Sequence, residues 1–439
     1  MHYPNPESES AALFEGAQRV LTDGGSRSTI RIAPYSIYAA SASGKYVTDV
    51  DGNRLFDFNN NYTSMLHGHA HPEVLKAAMA QAARGTGYCF ASEAEFELAA
   101  LLCDRNPNFD KIRFMNSGTE AVMKAIKAAR AYTGRPLLAK CENAYHGSYD
   151  FAEVSLGVPP TNPADGDPMS QGYCRGTPQG VLGSVVVMPP NDVDAARRIL
   201  ESRSEELAGV LVDPLGIGMS RHPFPDGYLA MLREFCDRTG ALLIADEVVA
   251  FRAGMAGMQG EIGLRPDLTT LGKIIGGGFP VGAVAGSAEV MSVFEADEGK
   301  ARLPHGGTYN ANPVSMAAGH AAMAMTDAAA FERLNGIGAL FRDELAAVLK
   351  ANDVDADVQG QYSIFAVDFR EPALADVAPR GATYRSSGLH RFIVQQGYWL
   401  SPGFLGVCST VMDEGDVAPF CETLEKGIRT LRDAEANAA

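Results

Sequence analysis

The stretch "TLGKIIGGGFPVG" (270–282) sets one lysine, Lys273, between a short apolar run and three consecutive glycines, Gly276 to Gly278. A lysine amine of lowered pKa attacks aldehydes and ketones and forms a Schiff base. The commoner fate of lysine is a solvated loop position. In "MNSGTEA" (115–121), Asn116, Ser117, Gly118 and Thr119 combine hydroxyls, a glycine for close backbone approach and the free N–H groups of a helix start. That is a phosphate cup, or simply a helix cap, since Ser/Thr followed by Glu is also the capping pattern. In "IADEVV", Asp246 and Glu247 close a buried run, where a carboxylate is costly unless paired; the plainer reading is a cap or an ion pair. In "NAYHG" (143–147), Tyr145 offers a flat aromatic face, though tyrosine in a turn is common.

Each signal is weak alone, and together they form an inventory: an anion cup, an aromatic face, a carboxylate for a ring nitrogen and an amine for an aldehyde. Pyridoxal 5′-phosphate asks for that set.

The elements around these residues are consistent with it. "KIRFM" (111–115), "PLLAK" (136–140), "GVLVD" (209–213) and "GALLIADEV" (240–248) read as strands, most of them apolar enough to be buried on both faces. "EAVMKAIKAARAYTG" (120–134) and "YLAMLREFCDRTG" (228–240) read as helices closed by glycine. "DLTTLGK" and "GAVAGS" (282–287) are strands that bracket the lysine. Strands alternating with helices predict an α/β fold, with a mostly parallel central sheet covered by helices on both faces. Ligands in such a sheet gather at the carboxyl ends of the strands, where the four motifs fall. After about residue 330 the texture shifts to a helix (340–352), short strands in "SIFAVDF" and "LGVCST", and a final helix near 416–433, a smaller α+β domain. "GKYVTDVDGNRLFDF" (44–58) reads as a hairpin turning at Asp51–Gly52. The expected division is 1–55 as an N-terminal segment packing with the small domain, 56–328 as the large cofactor domain and 329–439 as the small domain.

"NSGTEA", "YHG", "DEV", "TTLGKIIGGG" and "HGGTYNANP" (305–313) resemble the class III aminotransferases of fold type I, with matching motifs from about residue 15 to the C-terminus. The resemblance implies a pyridoxal-phosphate transaminase. It makes Lys273 the Schiff-base lysine and the proton carrier, and Asp246 the partner of the pyridinium nitrogen. It assigns Ser117, Gly118 and Thr119 to the phosphate, Tyr145 to one face of the ring and Val248 to the other, with His146 among the cofactor-binding residues. It assigns Gly307 and Thr308 to the phosphate of a neighbouring subunit, hence a homodimer with its sites at the interface. Gly276 to Gly278 would let the backbone bend so that Lys273 can swing between its two jobs.

Two subfamilies fit best, the β-amino-acid aminotransferases acting on substrates such as β-phenylalanine and the glutamate-1-semialdehyde aminomutases. "DGGSRSTIRIAPYSIY" resembles the β-amino-acid group, in which an arginine within "SRS" binds the substrate carboxylate. Arg27 holds that place here and Arg31 is a second candidate; otherwise both are surface residues of a strand. A guanidinium suits a carboxylate bidentately. "LSPGFLGVCS" departs from the group, with Gly403 after Pro402 where an arginine is expected, so the acceptor or second carboxylate site is built differently, with Arg31 a candidate for it. "VDPLGIGMS" (212–220) has Asp213 where the family usually carries Glu, and Gly218 where ornithine- and GABA-type members carry a gating Glu, which argues against those substrates.

Composition sets the outer limits. The 439 residues are 46% hydrophobic and 21% charged, an ordinary globular balance. A net charge of −16 without a basic block argues against nucleic acid. No apolar run approaches the roughly 18 residues of a membrane span, and "MHYPNPESES" lacks the apolar core of a signal peptide. Seven scattered cysteines without a CxxC pair fit reduced thiols and a cytoplasmic protein. His67, His69 and His71 in "HGHAH" would share one side of a strand. With no carboxylate evident beside them, no metal is expected. A non-catalytic homologue would be expected to have lost Lys273 or Asp246, and both are present.

Overall fold

The computed structural model describes every residue except 160, 162–165, 219–220, 297–298, 372–373, 375–387, 402 and 439. Its chain forms two compact units, residues 72–331 and residues 1–71 with 332–439.

The unit 72–331 is built on a seven-stranded sheet. Its strands are β1 (Lys111–Met115), β2 (Leu137–Cys141), β3 (Val185–Met188), β4 (Leu207–Val212), β5 (Leu242–Asp246), β6 (Leu268–Gly272) and β7 (Gly282–Gly286). The spatial order is β1-β7-β6-β5-β4-β2-β3. The pairs from β6 to β3 are parallel, and β7 runs antiparallel to both β1 and β6. Every residue of β2, β4, β5, β6 and β7 is buried, as their continuous apolar character requires.

The same unit holds the helices α1 (Pro72–Arg84), α2 (Glu93–Arg105), α3 (Gly118–Thr133), α4 (Val193–Glu201), α5 (Tyr228–Thr239) and α6 (Pro313–Ala324). The buried face of α3 is Ala121, Val122, Ala125, Ile126, Ala128 and Ala129. Spacings of three and four place them in one stripe, and their small size lets the helix lie close on the sheet. Gly134 and Gly240 end α3 and α5 at φ 72° and 73°, the left-handed geometry that predicted glycine stops require.

In the other unit, Tyr46–Asp49 and Arg54–Asp57 form the expected hairpin, with Gly52 at φ 80°. Ala39–Ser43 and Tyr398–Trp399 complete its four-stranded sheet. A three-stranded sheet contains Ala356–Gln359, Ile364–Phe369 and Gly406–Val407. Phe58, Phe341, Phe365 and Phe420 pack at its core, with Phe341 stacked on Phe365 at 4.6 Å. The N-terminus is tied in by its ammonium, which donates to the Gln395 carbonyl at 2.8 Å. The chain ends in the helix Val417–Ala438.

"HGHAH" is not a strand. Gly68 (φ 69°) and Ala70 (φ 52°) turn the backbone and break the alternation on which a shared face depends. His69 does have a carboxylate partner, since its Nε2 lies 2.7 Å from Asp57 Oδ2, and His67 Nδ1 contacts the Thr410 hydroxyl at 2.9 Å. Among the described residues no group of three His, Cys, Asp or Glu side chains is placed to hold a metal.

Candidate active site

β5 ends at Asp246, and β4 beside it ends one residue before Asp213, with Val212 paired to Ala245. β6 ends one residue before Lys273, and β1 leads into Ser117 and α3. The carboxyl ends of these parallel strands therefore collect the polar residues at one edge of the sheet.

Three donors converge on the buried Asp246 carboxylate. His146 Nδ1 lies 2.8 Å from Oδ2, while the Thr270 hydroxyl at 2.8 Å and the Val248 amide at 3.2 Å donate to Oδ1. Opposite a carboxylate, His146 must carry its hydrogen on Nδ1. Its Nε2 is then bare, and it has no hydrogen-bond partner in the interior. Burial pushes His146 below its ordinary pKa, against the pull of Asp246, which keeps it neutral. Two other acids lie nearby. Burial lifts Glu247 to about 8 even though the Met258 amide and both nitrogens of Gln259 donate to it. Burial, then the charge of Asp246, raises Asp213 well above the usual carboxylate range.

Lys273 is half-buried and, among the described residues, makes no hydrogen bond or ion pair. Burial lowers its amine to about 8, although Asp246 and then Asp213 raise it. Its backbone sits at φ 48°, a left-handed conformation that is strained for lysine and collects at functional sites. The glycines that follow are needed for fit. Gly277 and Gly278 have φ of 59° and 95°, and a Cβ on Gly277 would stand 2.5 Å from the Ala318 carbonyl of α6. A Cβ on Gly276 would stand 2.5 Å from Val281. The structure thus gives the glycines a packing role; the side chain's four methylenes supply reach.

The loop at 116–119 is a helix cap with donors left open. Ser117 Oγ accepts from the Glu120 amide at 3.2 Å, which leaves its own O–H to donate elsewhere. The amides of Gly118 and Thr119 are in the first helical turn and have no intrahelical acceptor. A Cβ on Gly118 would meet both Val248 methyls at 2.9 Å, so glycine lets Val248 close against the loop. Gly147 (φ 87°) packs on Thr119, whose hydroxyl accepts from the Ser148 amide at 3.2 Å. That contact joins the Tyr145–His146 turn to the cup and leaves the Tyr145 ring exposed. Gly307 and Thr308 are exposed at the surface of the chain.

Arg27 and Arg31 belong to the other unit, where they line a cavity of about 990 Å³ with Asn61, Tyr62, Met65 and Trp399. The two differ in engagement. Arg31 pairs with Asp23 (Nε to Oδ1, 3.2 Å) and lies over the Phe14 ring. Arg27 is exposed and, among the described residues, donates only to the neutral Asn61 oxygen, at 2.9 Å. Neither sits on a strand: Arg27 precedes and Arg31 follows the single turn Ser28–Ile30. Gly403 has φ 79°, whereas Pro402 lies outside the described residues.

Sequence reasoning missed Thr270 and the engagement of Asp213. A hydroxyl two residues before the β6 terminus, and so pointing to the same face as the end residue, was the available signal for Thr270.

The donor set fits pyridoxal phosphate on the structure's own terms. It offers an amine without a hydrogen bond or ion pair among the described residues, an oriented carboxylate, and open first-turn amides at a glycine against which Val248 closes. The family model for class-III aminotransferases matches residues 31–392. A glutamate-1-semialdehyde 2,1-aminomutase of Nitratidesulfovibrio vulgaris is 37% identical over 404 residues, covering 90% of this chain and 92% of that protein. The crystal structure of an omega-transaminase from Sphaerobacter thermophilus is 44% identical, with a TM-score of 0.92 over 98% of this chain and 99% of the other. A β-phenylalanine aminotransferase from Variovorax paradoxus is 31% identical, with a TM-score of 0.83 over 96% and 94% of the two chains.

Proposed function

Given that this chain belongs to the class-III aminotransferases, which work with pyridoxal 5′-phosphate, we propose that it moves the amino group of a β-amino acid to a keto acid. The observation that carries this reading is the half-buried Lys273 amine, without a hydrogen bond or ion pair among the described residues, beside the oriented carboxylate of Asp246; burial lowers it to about 8. Arg27, the less engaged of the two arginines, takes the substrate carboxylate.

When bound, the cofactor supplies an aldehyde and an electron-withdrawing ring. The chain's residues do the rest. Asp246, braced by His146, Thr270 and the Val248 amide, holds a proton at the ring nitrogen. Ser117, Gly118 and Thr119 hold the phosphate. Tyr145 would lie against one face of the ring and Val248 against the other. Lys273 Nζ takes a proton from the amine-bearing carbon of the substrate and returns one on the way to product. Burial holds Glu247 at about 8 and favours the protonated form of Asp213, which lessens the negative charge beside Asp246.

The outward position of Gly307 and Thr308 suits a segment completing the site of a second copy, so the working unit is a homodimer. Seven free cysteines support a cytoplasmic location, and among the described residues no helix is long and apolar enough to cross a membrane.

The deciding experiment mixes the loaded enzyme with α-, β- and γ-amino acids without acceptor and follows the cofactor absorbance. Conversion by β-amino acids is expected. Reaction only with glutamate semialdehyde and its diamino intermediates would instead establish an intramolecular amino shift, the reading that the 37% identical aminomutase favours.

A further inference from the structure

A line of polar contacts reaches the anion cup from β1. Arg113 Nε donates to His305 Nδ1 at 2.8 Å. The other ring nitrogen, Nε2, lies 3.0 Å from the Asn310 side-chain amide. The second arm of Asn310 lies 2.9 Å from the amide of Asn116, the residue just before Ser117. A Cβ on Gly307 would stand 2.6 Å from the Asn310 amide, so the glycine makes room for this contact.

Counting protons along the line fixes its polarity. A guanidinium only donates, so His305 Nδ1 must be bare. The single hydrogen of a neutral imidazole is therefore on Nε2, and Asn310 must meet it with oxygen. If Asn310 turned its nitrogen to Nε2, the ring would have to be bare at both positions, an imidazolate. Amide oxygen and nitrogen share one shape, so the network decides between them. An imidazolium is closed off as well, because it would set N–H against N–H at Arg113. Burial, Arg113 and Lys124 also push His305 down to about 4. With its oxygen committed to His305, Asn310 offers NH₂ to Asn116, which must answer with its own oxygen. Turning its oxygen to Asn310 puts the Asn116 NH₂ on the opposite arm of the amide, clear of the Asn310 contact; the nearby Glu120 carboxylate accepts from the Asn116 backbone amide, with Oε2 at 2.6 Å.

We infer that Asn116 is a further donor to the cofactor phosphate, beside Ser117, Gly118 and Thr119, and that Arg113, His305 and Asn310 are positioning residues that fix which end of its amide is offered. The inference rests on the reading of 117–119 as the phosphate cup.

Binding of two ligands to cofactor-free protein tests it, pyridoxal phosphate and pyridoxal, which lacks the phosphate. Asn116→Asp should weaken pyridoxal phosphate by about 10- to 100-fold, the scale of a lost hydrogen bond to a charged group, and leave pyridoxal unchanged. Arg113→Met should shift the same ratio in the same direction by less. Selective ¹⁵N-histidine NMR of the unmodified protein should find His305 protonated at Nε2 and bare at Nδ1. A proton on Nδ1, or an N116D protein that binds both ligands as the parent does, overturns the inference. Ser117→Ala separates the two failures. If it too leaves the ratio unchanged, the phosphate cup itself is misread; if it lowers the ratio while N116D does not, only the role of Asn116 falls.

Discussion

Around Asp246 each oxygen of the carboxylate has a named donor, glycines at 118, 147 and 277 close the gaps, and even the lysine's backbone is held in a strained conformation. Around Arg27 the reverse holds, with one neutral hydrogen bond among the described residues, an exposed guanidinium and a cavity of about 990 Å³. A cofactor is the same molecule in every turnover, so a rigid, over-determined cradle keeps its reactive atoms in register. A substrate enters and leaves, and its pocket sets specificity with a few polar anchors in a roomy wall. The first region is thus expected to fail abruptly when altered, the second gradually.

The largest effect belongs to Lys273. Lys273→Ala should lower turnover by about 10⁴-fold or more, since it removes both the amine that holds the cofactor and the proton carrier; single-turnover kinetics would read it. Asp246→Ala should cost about 10²- to 10³-fold in kcat with little change in KM, the mark of charge stabilisation lost at the reacting centre. An Asp246→Ala enzyme impaired only in KM would blur the contrast between the regions.

Arg27→Ala should raise KM for a β-amino acid by about 10- to 100-fold and leave kcat nearly intact, with a smaller change for Arg31→Ala because Asp23 already occupies that guanidinium. Equal effects from both, seen in steady-state kinetics, would remove the distinction between them. The last effect is in pH. The neutral amine is the nucleophile, so uptake of pyridoxal phosphate by cofactor-free protein should rise with pH, up to about tenfold per unit below the Lys273 value of about 8, and level off above it. Stopped-flow absorbance from pH 6 to 10 would find this inflection.

The same contrast governed what could be read from sequence. Strand ends, glycine stops and the lysine turn are local, and periodicity with turn chemistry located β1, β2, β4 to β7, α3 and α5 to within a few residues. The four motifs at those strand ends meet because a parallel sheet sends its carboxyl termini to one edge. The conformation of "HGHAH" was lost because alternating histidines imitate strand spacing; Gly68 carried a turn signal, whereas the reversal at Ala70 leaves no compositional trace. Thr270 and the His305 relay were missed for another reason, since all their side chain–side chain hydrogen bonds but His305–Asn310 span 24 or more residues and side-chain polarity is decided only by what each group faces. The engagement of Arg31 with Asp23 and Phe14 likewise depends on tertiary placement that the "SRS" triplet does not encode.

Reduction of the cofactor-loaded enzyme with borohydride, followed by proteolysis and peptide mass spectrometry, tests the site most directly. The pyridoxyl mass should be on Lys273 alone. Stoichiometric labelling of another lysine, or a protein that takes up no pyridoxal phosphate, would contradict the convergence of Lys273, Asp246 and the 117–119 loop on one ligand.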